Sequence, residues 1–139
     1  MALHPDEYNA ASTLLFLENQ SVLYYKDWDA TPYLHLYVAS QIKWRLEHIC
    51  SYSRPDSFLV QMLRRMQTAC EDYQEAIYRN SVPGFDMLET HVDDGVMQGL
   101  AAEFRRAISA PLTELIDRYS LVVHNKYLGL LTLEEKKTC

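Results

Sequence analysis

Glycine and proline are scarce in this chain, with four and five among 139 residues. An all-β fold needs many tight turns, so their scarcity disfavours one. Cysteine is scarce as well. Cys50, Cys70 and Cys139 show no CxxC spacing, and an odd, unpatterned set fits a reducing compartment. Cys50 and Cys70 are expected as buried thiols, because a free cysteine behaves as a small hydrophobe; Cys139 is expected in a frayed tail. No run approaches the roughly 20 apolar residues of a membrane span, the densest being Leu14-Leu15-Phe16-Leu17. Acids at Asp6 and Glu7 are unlike a cationic signal sequence, and the polar end LEEKKTC is not expected to be a tail anchor. Positive charge is in the minority: the net charge is −6, and the doublets Arg64-Arg65 and Arg105-Arg106 are too small for a basic stripe. Nucleic-acid binding, which needs a clustered positive field, is therefore not expected.

Catalytic signatures are missing too. There is no glycine-rich phosphate loop and no GxSxG elbow. None of the five histidines, His4, His35, His48, His91 and His124, stands in an HExxH spacing. No enzyme activity, cofactor or metal is expected. Glu89, His91, Asp93 and Asp94 form the best local cluster, and such ligands could hold a divalent ion. The preferred reading is that Asp93 and Asp94 cap a helix and complement its dipole.

What is present is a hydrophobic content of 48%, enough for one domain over residues 1–139 with a real core. Proline-containing stretches at Thr31-Pro32, Ser53-Arg54-Pro55, Ser81-Val82-Pro83-Gly84 and Ser109-Ala110-Pro111 cut it into helix-sized pieces. The first runs over about 5–26. The second, about 32–51, aligns Leu34, Val38, Ile42, Leu46, Ile49 and Cys50. The third, about 56–80, is the cleanest, with Leu59, Met62, Leu63, Met66, Ala69, Cys70, Tyr73, Ala76 and Ile77 at helical spacing. A short helix is placed at 84–91. A fifth runs from Asp93 or Asp94 to about 108, with Val96, Leu100, Phe104, Ala107 and Ile108 inward. A sixth covers about 110–129, with Leu112, Leu115, Ile116, Tyr119, Val122, Val123 and Tyr127 inward. The expected fold is an all-α bundle of short-linked helices. Ten tyrosines and two tryptophans exceed what such a core needs, and aromatics are residues that interfaces favour. A homodimer is accordingly among the expected partners.

Residues 91–104, HVDDGVMQGLAAEF, place two of the four glycines four apart in a helical stretch. A helix-interior glycine costs roughly 1 kcal/mol relative to alanine. Gly95 would sit in a permissive first turn. Gly99 suggests a close approach by another backbone, from a neighbouring helix or a bound one.

Two segments together resemble the Bcl-2 family of apoptosis regulators. Met66, Cys70, Glu71 and Tyr73 follow its third homology motif, with Cys70 in place of the usual glycine. Asp94, Gly95, Val96, Gly99 and Phe104 follow its first homology motif in register. Leu36-Tyr37…Ser40 with Ile42, Leu46 and Ile49 is similar to the family's first helix, and Pro111-Leu112-Thr113-Glu114…Ile116 to its sixth. The resemblance covers about 33–128. Either 5–26 or 32–51 takes the place of the first helix, the former otherwise being an extra element within 1–30; residues 130–139 form a polar tail. Met97-Gln98 replaces the motif's Asn-Trp, Leu100 stands where the family has arginine, and the second motif's Gly-Trp is missing. Such a short, divergent chain resembles viral members more than cellular ones.

The resemblance implies a bundle of five to seven helices around a central helix near 94–108. It also implies a hydrophobic groove that sequesters pro-apoptotic homology-3 helices in the cytoplasm of a host cell, at the mitochondrial surface through those partners. Met62, Met66, Tyr73, Val96, Met97, Gly99, Leu100 and Phe104 are the groove candidates. Losing one partner of a buried charge pair costs about 2–5 kcal/mol, so Leu100 implies weak or narrow binding unless Arg64, Arg65 or Arg105 compensates. A second reading keeps the fold and makes it a viral adaptor that blocks innate immune signalling through a helix face. A third is an unrelated helical interaction protein.

Overall fold

The computed structural model describes residues 4–23, 32–82 and 91–125. Within them lie four α-helices: α1 (Asp6–Glu18), α2 (Pro32–Ser51), α3 (Phe58–Arg79) and α4 (Asp94–Tyr119), with a single 3-10 turn at Ser21–Leu23. No strand occurs among the described residues, where Val82 and His91 make only an isolated antiparallel bridge. The chain is all-α, and no helix among the described residues is long and apolar enough to cross a membrane. The piece expected at 84–91 falls outside the described residues except for His91, as do Cys139 and the tail at 130–139.

The order of packing follows from α3. Its stripe buries Leu59, Met62, Leu63, Met66, Ala69, Cys70, Tyr73 and Ile77, too many for one neighbour to cover. Accordingly α3 lies between α2 and α4, and α1 touches all three. Among the described helices α3, rather than the helix at Asp94 expected at the centre, packs broadly on two neighbours. Ser57 caps α3, its side chain accepting from the Val60 N–H at 3.2 Å. Ser53, in the expected start signal, closes α2 instead: its hydroxyl donates to the Ile49 carbonyl at 2.8 Å and accepts from Asn9 at 2.9 Å. Asn9 thereby fastens α1 to the α2–α3 turn, helped by the Asp6–Arg54 ion pair at 3.0 Å.

α2 is turned from its expected register. Leu34 is exposed, and His35 and Ala39 enter the core in line with Ile42, Leu46 and Ile49. The cause is a polar partner inside, the hydroxyl of Tyr73 beside His35.

The fifth and sixth expected helices are one. Pro111 stands inside α4 without ending it, although an interior proline costs about 3 kcal/mol. Ile108, Leu112 and Leu115 are all fully buried, so both sides of the proline are held on one line by the core. Ala107, whose carbonyl Pro111 cannot serve, is exposed to water. α4 ends earlier than expected, at Ser120, which adopts a left-handed conformation at φ 52°. Val122 is exposed rather than inward, and Tyr127 falls outside the described residues.

The segment after α4 is held by Glu18. This acid sits at the wrong end of α1 for its dipole yet is buried. Its carboxylate accepts from the backbone N–H groups of His124 at 2.9 Å and Asn125 at 2.6 Å, and Asn125 Nδ2 donates to the Glu18 carbonyl at 3.1 Å. Hydrogen bonds to a charged group contribute about 1.5–3 kcal/mol. Glu18→Ala should lower the unfolding free energy by about that amount in urea titrations. Amide exchange at His124 and Asn125 should accelerate in the same variant, with the helical content of α3 retained.

Candidate functional site

The site begins at the N-terminus of α4. Asp93 is its N-cap, its side chain accepting from Gly95 N–H at 3.0 Å and Val96 N–H at 3.3 Å. Asp94 adds a second acid in the first turn, where the dipole favours it. No group of three potential metal ligands occurs among the described residues.

The two glycines exchange the roles expected of them. A methyl group on Gly95 would lie 3.3 Å from the capping carboxylate, whereas one on Gly99 would meet nothing within 4 Å. Gly95 is therefore the crowded position, for a local reason. Among the described residues no neighbouring helix approaches Gly99, so the close approach by a neighbour expected there is not found.

Further along, α3 and α4 enclose a cleft of about 160 Å³ lined by Ala69, Asp72, Tyr73, Ala76, Leu100, Glu103, Phe104 and Ala107. Among the groove candidates, Tyr73, Leu100 and Phe104 are brought together here. Met62, Met66 and Met97 are buried in the core. Val96 is exposed, one turn before Leu100 on the same side of α4, and Gly99 is also exposed. Of the homology-motif residues, Cys70 is fully buried, and burial pushes its thiol up to about 12. Glu71 faces solvent, paired with Lys43 at 3.1 Å.

The cleft continues into a wider, shallower one of about 430 Å³ lined by Arg64, Arg65, Thr68, Ala69, Asp72, Ala107 and Ala110. Ala69, Asp72 and Ala107 belong to both. The joint furrow spans residues 64–76 of α3, about 18 Å at 1.5 Å per residue, or three helical turns. Its floor is alanine and aromatic ring. Asp72 and Glu103 border the end near Tyr73, and Arg64 and Arg65 the other. Arg65 is engaged with Glu114 and with the Met62 sulfur at 3.4 Å. Arg105 is not at the furrow: it is buried, and its Nε donates to the Val22 carbonyl at 2.7 Å.

Behind the cleft wall lies a buried polar pair. The Tyr73 hydroxyl and His35 Nδ1 share a hydrogen bond of 2.7 Å, and the Tyr73 ring stacks on Phe104 at 4.3 Å, 6° from parallel. Burial, and secondarily the nearby Arg105 guanidinium, lower His35 from 6.5 to about 4. Burial pushes the Tyr73 phenol well above its ordinary value, against a smaller opposing effect of Arg105. At neutral pH both groups are uncharged, and their hydrogen bond ties α2 to α3.

The lining residues missed in the sequence had a readable signal. Glu103 and Ala107 follow the groove candidate Leu100 at i+3 and i+7 on one side of α4, and Ala69 and Ala76 stand seven apart on α3. Small residues at such spacing mark where a furrow can form.

No family model, curated protein or solved structure matches the chain. The site's own geometry therefore carries the functional argument: an all-helical protein with a short apolar furrow and charged borders.

Two outcomes follow from this geometry. Gly99→Ala should raise the unfolding free energy by about 0.5–1 kcal/mol in urea, since open space surrounds the added methyl; destabilisation would contradict that open space. The proton that His35 refuses in the fold is taken up by the unfolded chain as pH falls from about 6.5 to 4. Stability present above that range is thus lost within it, by up to about 1.4 kcal/mol per pH unit. His35→Gln should flatten this part of the stability–pH profile relative to the parent chain.

Proposed function

We propose that the chain is a Bcl-2-like helix-binding protein, a bundle of the five-to-seven-helix kind, that inhibits apoptosis by sequestering pro-apoptotic homology-3 helices. The carrying observation is the α3–α4 furrow floored by Tyr73, Phe104, Leu100 and alanines. Three turns of an amphipathic helix, with apolar anchors at i, i+3/4 and i+7, match its length and character. The chemistry is binding alone, and the setting proposed is the cytoplasm of a host cell.

Charge sets the selectivity in this reading. Asp72 and Glu103 border the cleft beside Leu100, and Arg105 is committed to Val22. An acidic residue on the ligand therefore meets like charge at that end. Binding should be restricted to a few homology-3 helices and weak for the rest. The same borders favour the second reading, a same-fold adaptor acting on immune signalling through a helix face.

Calorimetric titration of a panel of homology-3 peptides checks the first reading. Most should bind weakly, and Glu103→Lys should tighten the acidic ones by about fivefold to tenfold, roughly 1 kcal/mol for a partly exposed pair. Tight binding across the panel would refute the narrow selectivity. Absence of binding by every peptide, with the fold intact, would move the assignment to the adaptor reading.

A further inference from the structure

The tyrosine and tryptophan surplus is not spent at the furrow. α2 presents a second nonpolar stripe on the side opposite its core residues. Tyr33, Tyr37 and Trp44 are exposed by 38%, 54% and 61%, and His48 is exposed beside them. At 3.6 residues per turn these four positions fall within about 60° of one another and span about 22 Å. A surface helix ordinarily carries charge there, yet Glu47 is the only charged residue on this side, held toward Lys43 at 3.9 Å. The rings also form a run: Trp44 stacks on His48 at 5.6 Å, His48 meets Tyr52 edge-on at 5.0 Å, and Tyr52 meets His4 at 5.4 Å.

The spacing of the stripe is palindromic. Tyr33 and Tyr37 precede Ser40-Gln41 by the same intervals at which Trp44 and His48 follow. Two antiparallel copies of α2, related by a two-fold axis at Ser40-Gln41, would set Tyr33 against the His48 position and Tyr37 against the Trp44 position. The smaller polar pair at the centre lets the helices approach. This is the self-complementarity that an isologous contact requires. Charge agrees: two chains of net charge −6 can meet on a face nearly free of charge, and the two Glu47 side chains would lie about 20 Å apart along the axis. Three half-exposed rings leave on the order of 300 Å² of aromatic surface per copy. With the flanking residues, two copies reach the lower range of a specific interface, about 1,200 Å².

We propose that the outward face of α2 is an isologous interface between two copies of this chain, with Tyr33, Tyr37, Trp44 and His48 as its anchors. It lies on the side of α2 turned away from α3, so it stands apart from the furrow reading.

Sedimentation of the full chain between about 1 and 200 μM, the range of a modest interface, tests it. The average mass should rise from the 16.2 kDa monomer toward twice that value. Tyr37→Glu and Trp44→Glu should each weaken association at least tenfold, with helical circular dichroism, and melting temperature at concentrations where the parent chain is monomeric, unchanged. Should either variant lose its fold, crosslinking supplies the readout. A short bis-maleimide should capture dimers of Gln41→Cys beyond the level seen with the parent chain, but not of Glu75→Cys on α3. A monomer over the whole range overturns the proposal. So does a dimer equally strong in folded Tyr37→Glu and Trp44→Glu, or one crosslinked no better through Gln41→Cys than through Glu75→Cys.

Discussion

The packing of the three long helices depends on Tyr73. Its hydroxyl is satisfied by His35 on α2, its ring lies flat on Phe104 of α4, and its own helix runs between them. A buried phenol needs a polar partner, and that need pulls His35 inward and turns Leu34 out. The stack fixes how far α4 stands from α3. One side chain thus sets the rotation of one helix, the spacing of another and the back wall of the cleft.

The furrow follows from that spacing. Two stacked rings hold α3 and α4 apart over the Tyr73–Phe104 step, while alanines at 69, 76 and 107 leave the gap unfilled. A single unbroken α4 carries the gap along the full three turns; a break at Pro111 would have ended it near Ala107. Arg105 is only one residue from Phe104, yet its side of the helix faces inward, where it holds the Val22 carbonyl and adds to the effect of burial in lowering His35. Helical position therefore assigns Arg105 to structure and Glu103 to the surface. The furrow's charge at this end is negative because of a rotation of about 200° between those two positions.

The helices of this fold were legible wherever apolar spacing was regular. α3 matched its expected stripe nearly residue for residue, and α2 its expected bounds. The failures share a cause, a local signal overruled by a distant partner. Pro111 reads as a boundary, but the buried leucines and isoleucine around it keep the helix unbroken. Val122 and Val123 read as continuing α4, but Ser120 stops it and Glu18, more than a hundred residues away, takes the following amides. Gly99 reads as a close approach, yet among the described residues nothing lies within 4 Å of a methyl placed there. At the cleft Tyr73, Phe104 and Leu100 could be named from sequence as groove members, whereas the alanines and acids beside them could not. Their role comes from which side of the helix they occupy, and that was settled by the inward choice of Tyr73 and Arg105.

α2 illustrates why a helix with two apolar sides resists such reading. Its expected stripe of Leu34, Val38 and Ile42 runs obliquely from an exposed position into the core, because periodicity reports that a face is apolar without saying what covers it. Burying His35 resolves the ambiguity: a histidine can enter the core only where a partner such as the Tyr73 hydroxyl offers it a hydrogen bond. That choice leaves Tyr33, Tyr37 and Trp44 in solvent. Exposed aromatic surface on this scale is an unspent driving force. The tie that closes the core therefore also produces the face available for association, on the side of the molecule away from the furrow.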